Sequence, residues 1–191
     1  AVSDSHVVSI GPKCHVLCTD AQTGDFAWGI DMATRYGTKV PLWYAGQCPI
    51  MDGNTVILAP AGSALLTAID CATGKTLWET PNPNGWKMSH SSVIPMDCDG
   101  RRIYVYCAIG GVVGIAADGP DAGKILWQTD VWQHSVVAPS PVPLPGSRLL
   151  LTAGYGAGSM MLKIRRESGV YLPEVLFTLE KSTFAREQQT P

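Results

Sequence analysis

Short apolar runs, separated by turns rich in glycine and proline, recur along the whole chain. Residues 56–59, 103–108, 112–116 and 149–151 are apolar at nearly every consecutive position. A strand with one wet face alternates apolar with polar residues, so these runs belong to strands covered on both faces. No amphipathic stretch of ten residues separates them, which disfavours a parallel sheet with crossover helices. The runs group in fours. One set is 47–51, 55–59, 65–69 and 75–79, the next 91–96, 102–108, 112–116 and 124–129, and a third 140–144, 148–153, 159–164 and 174–179.

The grouping reflects an internal repeat. Asp20-Ala-Gln-Thr-Gly24-Asp-Phe-Ala-Trp28 returns as Asp70-Cys-Ala-Thr-Gly74-Lys-Thr-Leu-Trp78, and again as Asp118 through Gly123-Lys-Ile-Leu-Trp127. The tryptophans are about fifty residues apart, and Phe177 ends a more degenerate fourth copy behind a longer loop holding Ser168 and Gly169. Four short strands per fifty residues is the signature of a propeller blade. The expected fold is therefore an all-β propeller of four four-stranded antiparallel blades, at about 1–31, 46–80, 90–130 and 138–180, with 186–191 as the first strand of a next or closing blade. Gly24, Gly74 and Gly123 supply positive φ in the repeated turn, whose Asp can bond the turn amides. Trp28, Trp78, Trp127 and Phe177 then sit on outermost strands, where their rings would bury against the adjacent blade.

The pattern Asp-x-x-Thr-Gly-Lys-x-Leu-Trp, best kept in residues 70–78, resembles the PQQ-like repeat of quinoprotein-type β-propellers, over nearly the whole chain. Residues 81–92 and 154–163 look like a bacterial subgroup of PQQ-binding-like propeller proteins. The resemblance implies an exported protein, periplasmic or secreted, and a ring of seven or eight blades. Four blades then form a portion of a longer ring, a half-ring that pairs, or a closed four-blade ring; the portion is favoured, because open blade edges would otherwise invite self-association. It also implies two roles: a binding or assembly scaffold, as in the outer-membrane assembly propeller of this repeat family, or a dehydrogenase carrying PQQ and calcium. The dehydrogenases of the family resemble one another in a vicinal cysteine pair, a calcium shell of Glu and Asn, and a catalytic Asp. Here no cysteines are adjacent, the only Glu before residue 167 is Glu79, and Asp31 and Asp130 simply follow outer strands.

Composition narrows the partners. The 191 residues include 20 glycines and 14 prolines, and only 16% are charged, which disfavours helical bundles and disordered chains. With 14 basic against 16 acidic residues, net charge −2, and basic residues clustered only at Lys163, Arg165 and Arg166, there is no footprint for nucleic acid or anionic lipid. No apolar run approaches the ~18 residues of a membrane span. Six cysteines at 14, 18, 48, 71, 98 and 107 show no metal-ligand or redox spacing, and most read as small buried hydrophobes.

In a propeller, the loops between blades and those joining second to third strands emerge on one face, around the channel, where ligands gather. Those loops here hold Trp43, Tyr44 and Gln47, then Trp86, Lys87 and His90, then Trp132 and His134, with Tyr155 in a glycine-rich connection. Three tryptophans in such loops can form a stacking platform for a planar cofactor, a sugar ring or a peptide, with Gln47, Lys87 and His90 as polar contacts. The plainer reading makes the tryptophans lids over the core and His90 a hydrogen-bonded strand residue. No catalytic set and no metal site emerges. The expected function is a non-catalytic scaffold taking a protein, peptide, planar ligand or glycan on the channel face, with a quinone-dependent oxidoreductase and a carbohydrate-binding propeller as alternatives.

Overall fold

The computed structural model describes all 191 residues. The first blade holds β1 (His6–Ile10), β2 (His15–Asp20) and β3 (Phe26–Asp31); the second β4 (Ile50–Asp52), β5 (Thr55–Leu58), β6 (Ala64–Asp70) and β7 (Thr76–Pro81). The third holds β8 (Ile94–Cys98), β9 (Arg101–Ala108), β10 (Gly111–Ala116) and β11 (Ile125–Thr129); the fourth β12 (Val142–Leu144), β13 (Arg148–Ala153), β14 (Gly158–Glu167) and β15 (Val170–Leu179). Each sheet is an antiparallel meander in chain order. The chain is a four-blade portion of a β-propeller, and the blades do not close on themselves. The first sheet has three strands; in place of its inner strand, Val2 bridges Val7 and the Ala1 carbonyl accepts from the Val8 amide.

Blades touch through a contact repeated from one to the next. Trp28 at the end of the first blade lies over Gly74 in the turn of the second, where a Cβ would come within 2.7 Å of the ring, and its Nε1 donates to the Cys71 carbonyl at 2.7 Å. One repeat on, Trp78 lies over Gly123 of the third blade with a corresponding clearance of 2.8 Å, and the Thr80 hydroxyl donates to the Gly123 carbonyl. Gly74 and Gly123 have φ of 67° and 84°, so each turn needs glycine for its backbone and again for the neighbouring ring. The repeated Asp carries the turn: Asp20 and Asp70 each accept from a threonine amide three residues on, at 2.8 Å.

The core accordingly lies between sheets. One cluster of 26 buried residues runs from the first blade through the second to one face of the third, and another of 16 joins the third blade's other face to the fourth. β10 is buried at every position because it has a blade on each side, whereas β2 of the first blade alternates between exposed and buried over its first four residues. All six cysteines are free, and five of them are buried; only Cys48 is exposed. Burial pushes the Cys14, Cys18, Cys98 and Cys107 thiols up, and Cys71 to about 11.

Several boundaries differ from the sequence expectation, each for a physical reason. The inner strands start late, at Ile50, Ile94 and Val142. The residues before them send their amides sideways: Cys48 donates to Ser92 Oγ at 2.9 Å, Ser92 to Ser140 Oγ at 3.0 Å, and Ser140 to Thr190 Oγ1 at 2.9 Å. Residues 186–191 are not a strand, although Thr190 continues this series and the Arg186 amide reaches Thr152 Oγ1, because no sheet lies behind them to pair with. Residues 170–173, read as loop, extend β15, since Ser168 and Gly169 at φ 50° and 86° form a tight turn that matches the twist of a hairpin. Phe177 is 45% exposed rather than buried on a neighbour. Trp127 is buried over Gly114 of its own blade, its Nε1 without a partner, since the lengthened hairpin carries Gly169 away from it.

Gly123→Ala should cost about 3 kcal/mol in urea unfolding, from overpacking against Trp78 plus left-handed strain, while Gly53→Ala, which has open space, should cost about 1 kcal/mol. A thiol reagent at neutral pH should modify one cysteine quickly in the native protein, Cys48, and all six in denaturant.

Candidate functional site

The loops on the channel face start from secondary structure that fixes their roots. After β3 the chain turns through α1 (Met32–Tyr36), capped by Asp31, which accepts from the Ala33 and Thr34 amides and the Thr34 hydroxyl, and ended by Gly37 at φ 66°. These bonds, with the Thr34 hydroxyl foremost, hold the Asp31 carboxyl below the usual range, so Asp31 is a structural cap. The end of α1 then meets the second blade: the Ser63 amide donates to the Tyr36 carbonyl, and Gly62 leaves no room there for a Cβ. From this anchor the loop climbs to Trp43 and Tyr44, both left-handed at φ 63° and 71°. Such backbone costs about 1–2 kcal/mol per residue, and here it presents two large rings to solvent.

Trp43 does not stand alone. Its ring stacks on that of Tyr155, centroids 6.1 Å apart and planes 16° from parallel, and tilts toward His90 at 6.3 Å. Tyr155, in the β13–β14 connection, is itself left-handed at φ 55°. Three loops from the second, third and fourth repeats thus converge on a cavity of about 360 Å³ lined by Trp43, His90, Val136, Ala138, Tyr155, Glu187 and Gln188. His90 is held by its amide on the Val137 carbonyl, and a Cβ on Gly46 would meet its ring at 3.0 Å. Gly154 plays the corresponding part for Glu187, whose backbone passes too close for any side chain there.

The other sequence candidates lie elsewhere. Gln47 is buried, its Nε2 donating to the Ala59 carbonyl at 2.9 Å while Oε1 finds no partner, so it braces the second blade. Lys87 is exposed, and its backbone pairs with Ile109. Trp86 lies flat over Gly110 and Gly111 and borders a separate polar cavity of about 440 Å³ with Asn84, Gln128, Thr129, Asp130 and Gln133. Trp132 is buried, edge-on to His134 at 4.3 Å, and burial pushes the His134 pKa down. Tyr44 is exposed beside Trp43. The three tryptophans share no cavity: Trp43 borders the one lined by His90 and Tyr155, Trp86 borders the polar one, and Trp132 is buried.

Glu187, Gln188, Val136 and Ala138 escaped sequence reasoning, yet a signal existed. Counting back two residues from Ser92, Ser140 and Thr190 gives His90, Ala138 and Gln188, all lining the cavity, and counting back two from Cys48 gives Gly46, which backs the His90 ring. A calcium-bound quinone needs six to eight oxygen ligands for its cation. No three His, Cys, Asp or Glu side chains converge in this chain, and the cavity's one carboxylate is Glu187, so these residues do not fit that pair.

Comparison with known proteins places this geometry in a family. The sequence model described as outer membrane protein assembly factor BamB matches residues 1–169. No curated protein matches the sequence. Among solved structures, the quinohemoprotein alcohol dehydrogenase of Comamonas testosteroni is similar at 14% identity and a TM-score of 0.54, over 95% of this chain and 41% of that one. Quinohemoprotein alcohol dehydrogenase ADHIIG of Pseudomonas putida HK5 is similar at 13% identity and 0.55, over 91% and 37%. BamB of Moraxella catarrhalis is matched at 14% identity and 0.45, over 94% and 62%. This chain spans less than two thirds of each of these structures, and at such identities the likeness to the two dehydrogenases is one of fold. With the repeated Asp-Thr-Gly turns, the docked tryptophans and a family match over 169 residues, the chain belongs to the PQQ-like β-propeller family of the outer membrane protein assembly factor BamB.

Proposed function

We propose that this protein is a non-catalytic binding scaffold that takes an extended peptide or protein segment on its channel face, in an assembly role in the bacterial envelope. The observation that carries the reading is the Trp43–Tyr155 pair: two exposed, near-parallel rings held on left-handed backbone, at the mouth of a cavity with His90 on one side and Glu187 and Gln188 on the other. Exposed aromatics cost solubility and strained backbone costs stability, and both persist where a partner covers them. Leu42 and Tyr44 extend the apolar rim, which suits a side-chain-bearing segment better than a small anion. Membership of a family described by outer membrane protein assembly supports the same reading, as it supports an exported, periplasmic setting.

One observation favours a second reading. Trp86 borders a cavity otherwise lined by amide, hydroxyl and carboxylate groups, a combination that stacks and hydrogen-bonds a sugar ring.

Fluorescence anisotropy with a labelled extended peptide that alternates aromatic and polar residues separates these readings. Trp43→Ala and Tyr155→Ala should each weaken binding at least tenfold without lowering the melting temperature, because both rings are exposed. Binding of a chitobiose probe that Asp130→Ala abolishes, with no peptide binding, would favour the glycan reading. Oxidation of alcohols on adding quinone and calcium would overturn the non-catalytic role.

A further inference from the structure

One carboxylate, that of Glu187, stands in the cavity beside Trp43, His90 and Tyr155, and no lysine or arginine lines it. The chain holds it there from both sides. The Ser159 hydroxyl donates to the Phe184 carbonyl at 2.9 Å, the Arg186 amide to Thr152 Oγ1 at 3.1 Å, and the Ser140 amide to Thr190 Oγ1 at 2.9 Å. Between these ties Glu187 packs against Gly154, where an added Cβ would come within 2.8 Å of the Glu187 Cβ and 2.5 Å of its Cγ. Gly154 immediately precedes Tyr155, so the carboxylate is carried to the edge of the aromatic pair. Glu187 nonetheless forms no ion pair. Its neighbour Arg186 is turned to the Phe184 ring, with the guanidinium 5.6 Å from the centroid.

The rings favour the same charge as the carboxylate. Trp43 and Tyr155 are 59% and 64% exposed and lie 16° from parallel. The faces of such rings carry negative potential, so together with Glu187 they attract a cation and disfavour an anion. An apolar side chain laid over the rings would cover Glu187 without giving it a partner, and a carboxylate taken out of water unpaired is costly. A metal ion would lack ligands, because no three His, Cys, Asp or Glu side chains converge.

Resting on the reading of this face as a peptide site, we propose that the cavity selects an arginine side chain of the bound segment. The guanidinium stacks on the Trp43 and Tyr155 pair and donates to the Glu187 carboxylate, while its aliphatic stem lies along Val136 and Ala138. A guanidinium suits these groups better than an ammonium: it is planar, more weakly hydrated, and presents a fork of donors that matches a carboxylate.

Fluorescence anisotropy on the 191-residue chain tests the proposal, using the extended aromatic and polar peptide with arginine, citrulline or lysine at one central position. The arginine peptide should bind about tenfold tighter than the citrulline peptide, which keeps the shape and loses the charge, with the lysine peptide between them. Glu187→Gln should abolish the preference by weakening the charged peptides alone, with unchanged circular dichroism because Glu187 is exposed. Equal binding of the arginine and citrulline peptides, or a preference that survives Glu187→Gln, overturns the inference and leaves the peptide site standing. A lysine peptide that binds as tightly as the arginine one overturns the choice of a guanidinium. Binding of none of the three, or binding indifferent to both Trp43→Ala and Tyr155→Ala, overturns the peptide site and this inference with it.

Discussion

A side chain landing on a glycine one repeat away holds this molecule together. Neither the second nor the third blade can bury both of its faces by itself, so its stability is set by its neighbours, and the contact that fixes neighbour spacing is the tryptophan over the turn glycine. Trp28 over Gly74 buries a large ring, satisfies its Nε1 on the Cys71 carbonyl and tolerates no Cβ beneath it. Removing such a ring typically costs about 3–5 kcal/mol, a large share of the roughly 5–15 kcal/mol that holds a domain folded. The sheets inherit their apolar character from this arrangement: β6 and β10 have no wet face because blades flank them on both sides.

The inner edges obey a second, polar rule that shapes the candidate site. At the channel the amides of Cys48, Ser92 and Ser140 leave their own sheets and bond the hydroxyl one repeat on. This shortens the inner strands and fixes the chain just before them, the stretch that carries Gly46, His90, Ala138 and Gln188 toward the axis. The loop rooted before Cys48 can then hold Trp43 in a left-handed conformation that a free loop would relax. Site and scaffold are linked: hydroxyls that stitch the blades also set the spacing of the residues lining the cavity.

The repeat made most of the fold legible. Outer and middle strands follow from apolar runs and turn signals, because strands covered on both faces leave an unbroken pattern, and a glycine behind an aspartate marks the same turn in the first three copies. Inner strands were less legible because prolines and serines blur their starts and their amides serve a neighbouring blade. The hairpin at Ser168 and Gly169 was obscured by degenerate composition, although two left-handed residues form it readily. The site was legible only in part. Trp43, His90 and Tyr155 were found by their loops, but Trp86 and Trp132 share a residue type with Trp43 without sharing its register; one covers a glycine pair and the other fills the core. Residue type marks candidates, whereas position along each loop decides which of them border the cavity.

The claim that ties scaffold to site, that the inner edges of the second, third and fourth blades are each held by the hydroxyl one repeat on, is tested most directly by amide hydrogen exchange in the parent and in Ser92→Ala. In the parent the Cys48, Ser92 and Ser140 amides should exchange slowly, although all three precede the strands of their sheets. In Ser92→Ala the Cys48 amide should exchange at least tenfold faster, with the Ser140 amide and the strands of the third blade unchanged. Rapid exchange of Cys48 in the parent, or a Cys48 amide indifferent to the loss of the Ser92 hydroxyl, would contradict it.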